Sequence, residues 1–215
     1  RRQRRVNTGL LLLLYEFYQV GLHNIPFVTL GVLILNIFLF LNPVRPLDEV
    51  CISVNEVSYK GSWQYLLLHP VHHLNNWHLC CNMIFMLWMG ILLERKIKSL
   101  WFAYIIAVFS VLVRVVYMML EFLLMGILND PMREMNCGLG VLFALKVLND
   151  YYNPVEVSSA LGFWVSSKFA CWVELVAIYL ISSRTSFTEH LTGILVGLMY
   201  IMGPLKKIME ACAGI

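Results

Sequence analysis

The sequence predicts an all-α membrane protein that crosses the bilayer repeatedly, and three observations carry that prediction. Of its 215 residues, 60% are hydrophobic and only 13% are charged, roughly half the charge that a water-facing surface carries. The mean hydropathy is +0.73. The apolar residues arrive in long blocks rather than at the amphipathic spacing of a soluble helix, which is how membrane spans read. A soluble core does not call for several such blocks in one short chain. The net charge is only +3, and no basic stripe is interleaved with aromatics, so there is no footprint for nucleic acid.

Six spans are expected, taken in order. Residues 1–24 form a cytosolic or interfacial segment in which Arg1, Arg2, Arg4 and Arg5 read as a membrane flank. The leucine run 10–14 resembles a signal peptide but stops at Glu16, with no clear small-x-small cleavage site after it. The chain opens without Met, as a fragment or a processed chain would. The first span, 25–41, ends at the turn signal Asn42-Pro43. A long polar loop, 43–70, follows and contains an amphipathic piece at 63–68 suited to the interface. The second span is 71–93, and the third, 100–128, is long enough that it must tilt, bend or project. The fourth, 138–148, falls well short of the ~20 residues that cross a bilayer alone. The fifth and sixth are 169–181 and 190–202, and 204–215 begins a cytosolic tail.

Charge sets the expected orientation. Eleven of the sixteen Lys and Arg residues, Lys146 among them, fall on the side that holds the N-terminus, four fall on the other, and Arg114 lies within the third span. The positive-inside rule then places both termini in the cytosol, and an odd number of spans would break the asymmetry. No internal repeat is visible, which argues against a transporter built on inverted repeats.

Polar groups inside a membrane cost several kcal/mol unless paired or wet, so each needs a reason. The second span opens with His72, His73, Asn75, Asn76, His78 and Asn82. The first four read as interfacial, and a metal site built on His73 and His78 lacks partner ligands at fitting spacing. His78 and Asn82 are one helical turn apart on one face, where two donors suit a developing oxyanion. The fourth span opens Cys137-Gly138-Leu139-Gly140 and starts at depth, which works where the loop before it lines a water-filled cavity. The free N–H groups of such a helix start would face that cavity and bind anionic oxygen. In the sixth span His190 is followed by Gly193 and Gly197, a small-xxx-small seam for close helix approach. His190 reads either as a structural histidine at a span entrance or as a general base held against a neighbouring helix. The six cysteines lack zinc-ligand spacing. Cys51 and Cys137 are the pair that could share an oxidising compartment.

In order on six spans, these residues resemble the rhomboid family of intramembrane serine proteases over nearly the whole chain. The resemblance rests on His78-x-x-x-Asn82, on Gly90-x-x-x-Glu94, on His190-x-x-Gly193-x-x-x-Gly197 and on the glycine-rich opening of a short fourth span. It implies a six-transmembrane-helix rhomboid fold over 25–203 and needs no cofactor or metal. His190 would be the base of a Ser–His dyad, with His78, Asn82 and Gly138 at the oxyanion and Gly90, Glu94, Gly140, Gly193 and Gly197 as structural positions. The stretches 140–148, 169–177 and 203–211 resemble a branch of the family that resides in the endoplasmic reticulum. Its substrates would be transmembrane segments of membrane proteins, cleaved in quality control. A C-terminal tail would engage degradation factors.

The family's nucleophile lies in a Gly-x-Ser-Gly turn. Aligning on Gly140 puts Leu139 at the serine position and Cys137 at the first glycine. A shifted alignment restores that glycine as Gly138 but yields no serine, and none occurs between Ser110 and Ser158. Cys137 would point about 200° away from position 139 on a helix and could attack only from a remodelled turn. An alkyl side chain has neither proton to lose nor lone pair to attack with. Glu189, where the family usually has a small residue, and Arg114, in mid-span, are further departures. Glu121 is too far along the helix from Arg114 for an i,i+4 pair. Two readings follow: an endopeptidase that has lost its nucleophile, or a pseudoprotease that binds membrane-protein clients without cutting them. A channel or transporter, suggested by Arg114 and Glu121, ranks third.

Overall fold

A computed structural model describes residues 8–42, 76–128, 140–154, 158–160, 163–165, 167–181 and 187–214. The helices are α1 (Thr8–Val20), α2 (Phe27–Leu41), α3 (Asn76–Ile97), α4 (Ser99–Leu128), α5 (Gly140–Tyr152), α6 (Ser167–Ile181), α7 (Phe187–Ile201) and α8 (Pro204–Ala213). Helices α2 to α7 follow the six expected spans in order, so the fold is the all-α polytopic one. Between α5 and α6 the sequence did not announce a small antiparallel hairpin, β1 (Ser158–Ala160) and β2 (Phe163–Val165), with Ser159 opposite Trp164. The polar loop with its amphipathic piece at 63–68, together with His72, His73 and Asn75, lies outside the described residues.

Two helices, Trp77–Ile97 and Ser99–Ile127, are each long and apolar enough to cross a membrane unaided. The 30 residues of α4 span about 45 Å, against about 30 Å of hydrocarbon. Only 28% of its apolar stretch is buried inside the protein, and Leu100, Met119 and Ile127 face outward. An apolar exterior of this kind suits lipid rather than water. A single residue joins α3 to α4: Lys98 takes φ 71°, and its N–H caps α3 on the Glu94 carbonyl at 2.9 Å. The sixth expected span ends where Gly203 takes φ 105° and Pro204 starts α8, and the two helices meet at 69°.

The family-like Gly90-x-x-x-Glu94 pattern docks α2 on α3. The Glu94 carboxylate, 2% exposed, accepts from the backbone N–H groups of Val28 and Thr29 at 3.0 and 2.7 Å, and from the Thr29 hydroxyl at 2.7 Å. It thus occupies the positive end of α2, whose preceding Pro26 supplies no side-chain cap. Gly90 lets Thr29 lie against the backbone, where an added Cβ would come within 2.7 Å of it. Arg95 reinforces the junction by donating to the Asn24 carbonyl at 2.7 Å.

Helix α1 was not foreseen within the segment expected at the interface. It packs on α3, and the leucine run 10–14 is part of it, with Leu13 buried and Leu11, Leu12 and Leu14 outside.

Helix α5 sits at the centre, with eight of its thirteen residues buried. Lys146, in mid-α5, pairs with Glu174 of α6 at 3.2 Å, which lets a partly buried lysine stay charged.

Candidate functional site: a histidine and a buried ion pair at the glycine seam

Three helices converge where α5 begins. Helices α5 and α7 run parallel in backbone contact. A Cβ on Gly193 would run into the Gly140 carbonyl oxygen, and one on Gly197 would lie 2.8 Å from Val147 and 2.9 Å from the Ala144 carbonyl. The seam foreseen from Gly193 and Gly197 is therefore real, and its partner is α5. Gly140 itself sits in a notch between α4 and α7: an added Cβ would meet Val113 at 2.8 Å and the Glu189 carbonyl oxygen at 2.6 Å. Farther along, Tyr200 ties the same helices together. The Trp101 indole N–H donates to its hydroxyl at 3.0 Å, and Tyr152 lies 3.4 Å from it.

His190 is in the first turn of α7 and only 6% exposed. Its ring lies over Phe143 of α5, centroids 4.5 Å apart and planes at 32°. His78, half-buried on α3, lies within electrostatic reach of His190. Asn82, one turn after His78, has a buried Nδ2 with no hydrogen-bond partner among the described residues. The structure thus brings His78 and His190 to one region, with Asn82 on the same helix as His78 and a donor available. Gly138, Leu139 and Cys137 lie outside the described residues; Gly140 is the first residue of α5. His73 and Cys51 also lie outside them. Among the described residues no three His, Cys, Asp or Glu side chains are grouped to hold a metal ion.

Arg114 and Glu189, each a departure when read alone in sequence, are partners. Arg114 Nη2 lies 2.5 Å from Glu189 Oε1, with the side chains 4% and 0% exposed. The guanidinium carbon also stands 5.9 Å from the centre of the Tyr117 ring, within cation–π range. Arg114 is therefore not the stranded charge that its position in mid-span suggested. Each residue is odd in the sequence, but the pairing is not visible there, because 75 positions separate them and only helical-neighbour spacing can be read directly. A compensating acid elsewhere at span depth was the available signal, and Glu189 was that acid.

Residues 60–207 match the Rhomboid domain. The chain belongs to the rhomboid family. It is 56% identical over 217 residues to Rhomboid-related protein 4 of Homo sapiens, covering all of this chain and 69% of that protein. The mouse protein of the same name is 55% identical over 218 residues, with the same coverage. Rhomboid-like protein 14, mitochondrial, of Arabidopsis thaliana is 32% identical over 167 residues, 75% of this chain and 50% of that protein. No solved structure matches. The matched stretch holds α3 to α7, with His78 and Asn82 on α3 and His190 on α7.

Proposed function

We propose that this chain keeps the site of a rhomboid intramembrane serine endopeptidase and has lost its chemistry at position 139. The observation that carries the reading is His190 stacked on Phe143 beside the start of α5, with α3, the helix of His78 and Asn82, packed against α5. Position 139 immediately precedes that start and is leucine. With serine there, its hydroxyl proton would pass to His190 as the oxygen attacked a peptide carbonyl. His78, Asn82 and the N–H of Gly138 would then meet the oxyanion. With leucine no acyl-enzyme forms. The domain 25–203 would lie in the endoplasmic reticulum membrane, both termini cytosolic, with transmembrane segments of other proteins as its ligands.

The test is chemical. Wild-type protein in detergent should take no label from a fluorophosphonate, and Leu139→Ser should gain label and cut a model transmembrane substrate in a manner abolished by His190→Ala. Labelling of the leucine form that requires His190 would overturn the reading. A revertant that binds such segments but never cuts them supports the second reading, a pseudoprotease that holds membrane-protein clients. The Asn82 Nδ2, without a partner among the described residues, supports the first, since a site kept only for binding would not need a donor reserved for an oxyanion.

A further inference from the structure

We infer that Arg114 is a positioning residue for His190, acting through Glu189. The inference rests on reading His190 as the histidine of the site, but its principal test does not depend on cleavage.

The geometry points to it in three ways. Glu189 directly precedes His190, so fixing the Glu189 side chain fixes the rotation of the first turn of α7. Consecutive residues are set about 100° apart around a helix, so His190 turns with its neighbour. The ring of His190 meets Phe143 on one side, while Glu189 is held from α4 by Arg114. The first turn of α7 is thereby gripped by two helices at adjacent residues. Lastly, Val113 and the Glu189 carbonyl bound the notch that receives Gly140. The residue steps 113–114 and 189–190 therefore meet at the start of α5, beside the nucleophile position.

Apolar packing alone would fill this space without fixing the rotation. A buried guanidinium–carboxylate hydrogen bond is directional and short, and specifies geometry as well as proximity. Arg114 itself is steadied by the face of Tyr117, so the anchor does not swing.

The experiment measures how fast diethyl pyrocarbonate modifies His190 in the full chain, read by mass spectrometry. The exposed His23 serves as an internal control. Arg114→Met and Glu189→Met should each speed modification of His190 by about tenfold or more, as expected when local opening of a buried group becomes easier. His23 should be unaffected. Glu189→Gln, which keeps an acceptor oxygen, should recover most of the protection. The reversed pair, Arg114→Glu with Glu189→Arg, should recover it too. Wild-type rates in the single variants would overturn the inference, as would a reversed pair as fast as the singles. Where a single variant does not fold, Arg114→Met/Glu189→Met carries no lone buried charge and decides the matter. Fast modification of a folded double variant supports the anchor, and wild-type protection overturns it. In a Leu139→Ser background the single variants should lose kcat with KM little changed, and the reversed pair should restore it. If Leu139→Ser alone does not cut, that counts against the proposed chemistry, and the modification rates still judge the positioning role.

Discussion

Two buried carboxylates in this molecule stand at glycine-mediated helix crossings and are neutralised in opposite ways. Glu94 meets the start of α2 and takes only neutral donors: the backbone N–H groups of Val28 and Thr29, the Thr29 hydroxyl and the Ser99 side chain. Glu189 stands at the α4–α5–α7 crossing and takes a formal cation from another helix. The first solution is self-contained, because any residue at Val28 or Thr29 other than proline supplies an N–H. The second requires two particular side chains to be present together. The difference teaches that Glu94 is tolerant of its surroundings, whereas Arg114 and Glu189 stand or fall as a unit.

That contrast can be broken by substitution, and the largest effect is expected at the ion pair. Arg114→Met or Glu189→Met alone should cost about 3–5 kcal/mol in reversible unfolding from mixed micelles, because the surviving charge is left buried. Replacing both with Met should cost far less than the sum, and additive costs would show that the two do not act together. Next comes Glu94→Ala, expected to lose about 1.5–3 kcal/mol with the charge-assisted hydrogen bonds to α2. Val28 and Thr29 substitutions that keep the backbone N–H should be milder, and a cost as large as that of Glu94→Ala would remove the distinction drawn above. Gly193→Ala should cost about 1–3 kcal/mol by forcing α5 and α7 apart, read by the same unfolding and by faster modification of His190. The smallest effect is a gain. Lys98→Gly should stabilise by at most about 1 kcal/mol, because relief of a left-handed penalty of about 1–2 kcal/mol is partly offset by the backbone entropy glycine loses on folding.

The two carboxylates were also unequally legible in the sequence. Glu94 stood out in the sequence by its family-like spacing from Gly90. Its donors, on α2, lie 65 and 66 positions away and could not be named. The six hydrophobic blocks translated almost directly into α2 to α7, since block hydropathy is a local property of the chain. Helix α1 escaped notice because its leucine run was weighed as a targeting signal rather than for the side it would bury. The Lys146 partner, Glu174, sits on another helix and left no trace in local spacing. At the site, His78, Asn82 and His190 were legible as residues, and their grouping required the fold. Arg114 and Glu189 were both seen and both misjudged, each as a solitary defect, because a pairing between distant helices leaves no periodic trace.

The buried ion pair also has a history within each molecule's synthesis. Arg114 leaves the ribosome 75 residues ahead of Glu189, which at about 5–20 residues per second is a delay of about 4–15 s. For that interval α4 must rest in or beside the bilayer before the acid that Arg114 pairs with has been made. The long apolar run of α4 supplies the means to stay inserted, and Tyr117, three residues on, is already in place to cover the charge. Arrival of α7 then brings the counter-charge, so the last of the helices α2 to α7 to be made is also the one that completes the electrostatics of α4.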